Sequence, residues 1–310
     1  MAVWAFLFPG QGSQYVGMGK DLRDNFTIAR QTFEEADEAL KFHLSRLCLD
    51  GPESDLKLTE NTQPAILTAS IAVMRVVAAE TGITPSLLAG HSLGEYASLV
   101  TAGALSFIDA VKTVRLRGRF MQEAVPVGVG AMAAILGLDR GQVDDLCRES
   151  AEGQVLAPAN YNCPGQIVIS GHAEAVNRAA QKAKDLGARD AILLAVSAPF
   201  HCPLMRGAAE RLAEALEPVM VYDLKTPVIS NVEAEQYTSR EHIKELLITQ
   251  VDHPVRWQES MEKMLAAGIE QFLELGPGKV LSGLMKRINR GAVIQSVEKT
   301  EQIKELTKTS

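Results

Sequence analysis

The chain has 310 residues, 46% hydrophobic and 22% charged, which excludes a disordered chain or a disulfide-stapled miniprotein and asks for more than one core. A formal net charge of -7 excludes a general nucleic-acid binder, which needs a basic surface to displace counterions. Cys48, Cys147, Cys163 and Cys202 are scattered, with no Cys-x-x-Cys and no His pair at ligand spacing. They read as reduced thiols of an intracellular protein, and no metal site is expected.

In chain order, residues 3–8 are continuously apolar and end in Pro9-Gly10-Gln11-Gly12-Ser13-Gln14. Without a basic lead-in this is a first buried strand and not a signal peptide. The glycine-rich loop is expected at the carboxyl edge of a parallel sheet, where α/β proteins bind ligands. A phosphate loop is disfavoured, because no Lys-Ser/Thr follows and the Gly-x-Gly-x-x-Gly spacing fails at Tyr15. Gln11 and Gln14 are instead candidates to hydrogen-bond at an uncharged site. The spacing predicts helices over 27–44 and 65–80, the second opened by Thr62-Gln63-Pro64. The apolar tract 65–79 is interrupted by Arg75 and too short to span a bilayer, so no membrane partner is expected and a cytoplasmic place is the default.

Residues 86–89 read as the end of a buried strand and 95–102 as a helix stopped by Gly103. Between them lies Gly90-His91-Ser92-Leu93-Gly94, a Gly-x-Ser-x-Gly turn from strand to helix. In that context the glycines let strand and helix approach, and the turn pushes the serine hydroxyl out of the sheet. The helix N-terminus behind it offers free N–H groups to a developing oxyanion. The plainer alternative is a tight turn whose serine caps the helix.

Ser106 to Asp109 reads as a capping box opening a helix to about Glu123. Its apolar stripe runs Phe107, Ala110/Val111, Val114, Gly118, Met121; Arg115 and Arg119 fall off it, towards solvent. Arg117 falls on the stripe, where an unpaired charge costs several kcal/mol, roughly. Either an internal acid pairs it, or it awaits an anionic ligand, for which guanidinium geometry suits a carboxylate.

Pro126, Gly128 and Gly130 mark a composition break. After it the pattern predicts strand 131–136, helix 140–150, strands 154–160 and 166–171, helix 173–186 and strand 191–196, the ferredoxin-like β-α-β-β-α-β order. The amide-rich Ala159 to Gly165 between its middle strands is either turn chemistry or part of a site. His201, between Pro199 and Pro203, is the histidine best placed to serve a reactive serine; His91 is its neighbour, and neighbours in a tight turn point apart. Further strands are expected at 228–232 and 269–275, a helix at 280–288 and a frayed polar helix over 299–310. Lys286, Arg287 and Arg290 form either a docking patch for an acidic partner or a solvated cationic helix end.

Pro9 to Gln14, Gly90 to Glu95, Arg117, residues 160–171, Phe200-His201, Ser230-Asn231-Val232 and Leu275-Gly276-Pro277-Gly278-Lys279 occur together and in order. Through nearly its whole length the chain resembles the stand-alone malonyl-CoA:acyl carrier protein transacylases of type II fatty acid synthesis. The resemblance implies an α/β fold: an α/β-hydrolase-like large domain with a parallel sheet (1–125 and 199–310) and an inserted ferredoxin-like small domain (126–198), with the site in the gorge between them. It implies Ser92 as nucleophile, His201 as general base, and the backbone N–H groups of Gln11 and Leu93 as oxyanion hole. Arg117 would clamp the malonyl carboxylate, and Met121, Asn160, Phe200 and Asn231 would line the substrate site. His201 would be oriented by a neutral group around Gln250, not by a carboxylate. Malonyl-CoA and acyl carrier protein are the implied partners. No metal or cofactor is implied, since the CoA thioester is substrate and the carrier brings its own phosphopantetheine. Phe200 beside the histidine fits selection of an unbranched malonyl group, while Pro199 has no sequence-level explanation.

Three other readings compete. A serine thioesterase or esterase shares the turn but has no need of an arginine on an apolar helix face. A non-catalytic carrier-binding member would not need Ser92, His201 and Arg117 together. A trans-acting polyketide-pathway acyltransferase shares every feature.

Overall fold

The computed structural model describes residues 3–196 and 198–309. Met1, Ala2, Ser197 and Ser310, the last of which falls in the helix expected over 299–310, lie outside the described residues. The strands are Trp4–Phe8 (β1), Leu87–Gly90 (β2), Gly130–Leu136 (β3), Leu156–Cys163 (β4), Gln166–His172 (β5), Asp190–Leu193 (β6), Val228–Ile229 (β7), Gln271–Leu275 (β8) and Val293–Val297 (β9).

Five of them make a parallel sheet in the order β7-β2-β1-β8-β9. β1 is central, and its period-two alternation feeds two cores. Phe6 and Phe8 face the helix Thr59–Thr81 and its neighbours, while Ala5 and Leu7 face Trp257, Met261 and Leu281 of the helices Trp257–Ala266 and Val280–Ile288. Such two-sided cover is why the strands read as continuous apolar runs.

The Thr59–Thr81 helix corrects the sequence reading. It starts six residues earlier than expected, with Pro64 inside it, because the Asn61 and Thr62 side chains bond Asp55 O and Leu56 O and hold the first turn in place. At 23 residues it is long and apolar enough to cross a membrane, contrary to expectation, yet 78% of its most apolar window is buried against the rest of the protein. It is a core helix.

The other strands form an antiparallel sheet, β4-β5-β3-β6, with helices Arg140–Ala151 and Ala173–Asp185 in the expected βαββαβ order. Odd residues of β3 (Ala133, Ile135) pack under those helices with Val143, Leu146 and Val176. Even ones (Met132, Ala134) face the main core. The mixed α/β class with one parallel and one ferredoxin-like antiparallel sheet is therefore observed.

Boundaries shift where tertiary contacts decide them. The 27–44 helix breaks at Lys41, in the left-handed region with φ 50°, giving Thr27–Leu40 and Leu44–Asp50. β4 runs past the expected residue 160 because Tyr161 N donates to Val255 O and Val255 N to Ala159 O. The 228–232 strand stops at Ile229 as the chain turns, Ala234 N donating to Ser230 O. The last helix, Thr300–Thr309, is anchored and not frayed, since Ile303 and Leu306 are buried.

Candidate active site

Ser92 sits between β2 and the helix Gly94–Thr101 with φ 52°, a left-handed conformation that a non-glycine residue adopts only when its surroundings force it. The surroundings are three close backbone approaches. A Cβ at Gly90 would lie 1.9 Å from Gly94 O, one at Gly94 2.2 Å from Phe8 O, and one at Gly10 2.6 Å from His91 O. The turn is also tied from behind. Asn231 Oδ1 accepts from Ser92 N at 2.7 Å and Asn231 Nδ2 donates to Gly90 O at 2.7 Å.

His201 comes from the loop after β6, itself at φ 59°, and its Nε2 lies 2.8 Å from Ser92 Oγ. Its Nδ1 lies 2.7 Å from the backbone oxygen of Gln250. A carbonyl oxygen only accepts, so Nδ1 carries the proton and Nε2 presents its lone pair to the serine hydroxyl. The neutral orienter expected at Gln250 is thus its main chain. Pro199, unexplained in sequence, packs on β3: a Cβ at Gly130 would lie 2.3 Å from Pro199 Cγ, so the loop carrying His201 rests on the antiparallel sheet.

Arg117, on the helix Phe107–Glu123, is buried. It donates to Gln63 Oε1 at 2.7 Å, Gln250 Oε1 at 2.9 Å and Ser92 Oγ at 3.1 Å. No carboxylate among the described residues forms an ion pair with it, and its Nε has no hydrogen-bond partner. Of the two sequence alternatives, the directly paired structural arginine is absent. Arg115, off the stripe as expected and half-buried, stacks 4.3 Å from the Phe42 ring centroid.

A family of acyl transferase domains matches residues 5–305 of the chain. The chain belongs to this family. It is similar to the malonyl CoA-acyl carrier protein transacylase of Bacillus subtilis, 54% identical over 98% of this chain and 96% of that one. The like-named protein of Escherichia coli is 50% identical over 93% of each chain. Among solved structures, the malonyl CoA-acyl carrier protein transacylase of Coxiella burnetii superposes with a TM-score of 0.97 at 47% identity, covering 99% of this chain and 97% of that one. A malonyl-transacylase solved with its type II polyketide acyl-carrier protein also gives 0.97, at 46% identity over the whole of both chains.

The acyltransferase brings eight of its expected site residues to one cavity of about 100 Å³: Gln11, Ser92, Leu93, Arg117, Met121, Asn160, Phe200 and His201. Leu93 is the residue ahead of the Gly94–Thr101 helix, so its N–H is one of the helix's orphan donors. Neither it nor the Gln11 N–H donates to another described group. A register shift in β4 between Pro158 and Asn160 turns Asn160 to the cavity.

Asn231 corrects the expectation: fully buried, it lies behind the serine turn and not in the cavity wall. Gln14 is likewise outside, its Oε1 accepting from Gly12 N within its own loop. His91 does face the cavity, against the argument from neighbouring residues, but its Nε2 is engaged by Asn162 Oδ1 at 2.9 Å. Sequence reading missed Gln63, signalled only by its place before Pro64, and Met132, Leu194 and Val196, apolar wall residues with no chemical mark. It also missed Glu95, a buried acid on an otherwise uncharged helix.

Burial, and then the Arg117 charge, push the His201 imidazole down from its usual 6.5 to about 3, so it stands neutral. Burial lifts the Glu95 carboxyl to about 7 against the pull of Tyr237, Gln250, Asn231 and Arg117. The candidate basic patch is partly used by the fold: Lys286 Nζ donates to Ala292 O, and Arg287 bonds Gln166.

Proposed function

We propose that this acyltransferase moves the malonyl group of malonyl-CoA to the phosphopantetheine thiol of an acyl carrier protein, through a malonyl ester on Ser92. The carrying observation is the buried Arg117 guanidinium, with no carboxylate ion-paired to it among the described residues, 3.1 Å from Ser92 Oγ and lining the same cavity. A positive charge there favours an acyl group that ends in a carboxylate. The relatives named malonyl CoA-acyl carrier protein transacylase support the same substrate pair.

His201 Nε2 takes the Ser92 proton as Oγ attacks the thioester carbonyl. The Gln11 and Leu93 N–H groups receive the oxyanion, at about 3–4 kcal/mol per donor. As the tetrahedral centre collapses, the C–S bond breaks and His201 returns the proton to the CoA thiolate. The carrier thiol then repeats the steps in reverse, giving ping-pong kinetics. Serine, base and oxyanion donors cover both half-reactions, so the scheme calls on no metal or cofactor. Fatty acid synthesis in the cytoplasm is the proposed setting. The polyketide carrier complex of a structural relative supports a second setting with the same chemistry. The separate core beneath the antiparallel sheet supports the domain division at 126 and 198.

Intact-mass analysis after brief incubation with malonyl-CoA tests the proposal. A malonyl adduct is expected on the wild type and not on Ser92→Ala, discharged by holo carrier protein and stable in buffer. Rapid loss to water without carrier protein would sink the transferase reading in favour of a hydrolase.

A further inference from the structure

Glu95 lies three residues beyond the serine, buried, and no step of the proposed chemistry uses it. Its two oxygens collect donors from three separate segments. Tyr237 Oη donates to Oε1; Asn231 N, at 3.2 Å, and Gln250 Nε2 donate to Oε2. Two of the three donors belong to residues that hold the proposed reacting groups. Asn231 holds the Ser92 turn through Ser92 N and Gly90 O. Gln250 gives its main-chain oxygen to His201 and its Oε1 to Arg117.

We infer that Glu95 is the positioning residue for the acyl-carboxylate clamp, its Oε2 fixing the Gln250 side-chain amide so that Oε1 faces Arg117. The logic is one of donors and acceptors. Arg117 has only N–H to offer and needs an oxygen from Gln250; that requires the Gln250 NH₂ to point the other way, at acceptors. Three acceptors wait there, Ser92 O at 3.1 Å, Asn231 Oδ1 at 3.3 Å and the Glu95 carboxylate. Without Glu95 only neutral acceptors, Ser92 O and the longer contact to Asn231 Oδ1, would hold the amide, and the charge-assisted bond, the stronger kind, would be lost. Rotation of the amide would present NH₂ to the guanidinium, donor against donor, and drive Arg117 from its position above Ser92. Glu95 is also the carboxylate whose charge acts on Arg117, through the amide and without direct contact. A direct ion pair would occupy the guanidinium; the intervening amide leaves it open to an acyl carboxylate.

The inference rests on the malonyl reading, and its test separates the two. For each variant the rate of Ser92 labelling by malonyl-CoA is divided by that with acetyl-CoA, scaled to the fraction that can be labelled. The wild-type ratio reports on the malonyl reading alone: a ratio near one overturns that reading and this inference with it. Given a high wild-type ratio, Glu95→Met is expected to lower it about tenfold, in line with one hydrogen bond to a charged group. Glu95→Gln, which can turn its carbonyl to Gln250 and Asn231, is expected to keep it within about threefold. A merely structural Glu95 would lower the melting temperature of Glu95→Met and leave the ratio untouched, and that result overturns the inference. So does a Glu95→Gln ratio as low as that of Glu95→Met. Should Glu95→Met not fold, Glu95→Asp keeps the charge but withdraws the oxygens by one bond of about 1.5 Å; it carries the same expected loss and the same overturning result.

Discussion

The two sheets meet at one cavity and contribute to it in opposite ways. The parallel sheet side supplies Ser92, the proposed nucleophile, from backbone that has no room to move, at φ 52° and hemmed by Gly10, Gly90 and Gly94. The antiparallel side supplies wall: Met132, Asn160, Leu194 and Val196, from strands with their own helix-covered core. Reactive geometry is held by sheet and helix termini buried on both faces, where a shift of about 1 Å costs about 10²-fold. The smaller unit adds the wall against which a substrate would rest. His201 and Phe200 lie on the loop between them, which Pro199 seats against Gly130.

The largest effect should come from the charge on the parallel-sheet side. Arg117→Ala is expected to lower malonyl labelling by about 10²–10³-fold, as for truncating one partner of a buried charge pair, while acetyl labelling holds or rises. The measurement is the same labelling ratio. Arg117→Lys should recover little, because an ammonium lacks the planar fork whose separate nitrogens reach Gln63 and Gln250 and can still meet a carboxylate. Equal losses with both thioesters would make Arg117 a structural charge.

Gly94→Ala comes next. Its Cβ would meet main chain, Phe8 O at 2.2 Å and Pro9 O at 2.9 Å, so the turn must shift. Labelling should fall about 10²-fold. Gly207→Ala, in open space on the helix Arg206–Leu216, is the control and should keep wild-type labelling. A Gly94→Ala variant as active as this control would break the claim that close backbone approach holds the serine.

The same contrast explains what the chain disclosed before folding. The serine turn was legible because its geometry demands particular residues in sequence, glycines where Cβ has no space. Arg117 was legible because a charge on an apolar stripe stands out. The ferredoxin-like unit was legible because its alternation and helix periods are local. Gln250 was reached only through resemblance, and Glu95 not at all. Both act through contacts distant in the chain, Gln250 with His201 across 49 residues and with Arg117 and Glu95 across more than 130, and these leave no periodic trace. Asn231 was misplaced because a strand-end amide reads the same in front of a turn as behind it. The early start of the Thr59–Thr81 helix was hidden by Pro64, whose helix-breaking mark was outweighed by the Asn61 and Thr62 side-chain bonds.

On the wall, a smaller effect is expected. Phe200 lines the cavity beside His201, and Phe200→Leu opens space near the acyl α-carbon. Labelling by methylmalonyl-CoA relative to malonyl-CoA should rise about tenfold, the scale of one methylene in an apolar pocket. An unchanged ratio would move branch discrimination to Met121 or Leu194.

The smallest effect is expected from pH, and its flatness is informative. His201, depressed to about 3, stays neutral from pH 8 to 5, so labelling should not fall through 6.5 as it would for a solvated histidine. Glu95 protonates near 7, but its acceptor oxygen survives, as in Glu95→Gln, so the change should stay within about threefold. For stability the two groups oppose. Between 6.5 and 3 the unfolded His201 binds more protons than the folded one, so falling pH destabilises. Between 7 and 4.5 the folded Glu95 binds more, so falling pH stabilises. In the shared window, 6.5 to 4.5, the two contributions oppose, with His91, held low by burial, on the side of His201 and Glu274, held high by burial, on the side of Glu95. Glu95→Gln removes Glu95 from that balance, and its melting temperature should fall further than the wild type's from pH 6.5 downward. Parallel curves for the variant and the wild type would mean that Glu95 is ionised throughout, its three donors and Arg117 outweighing burial.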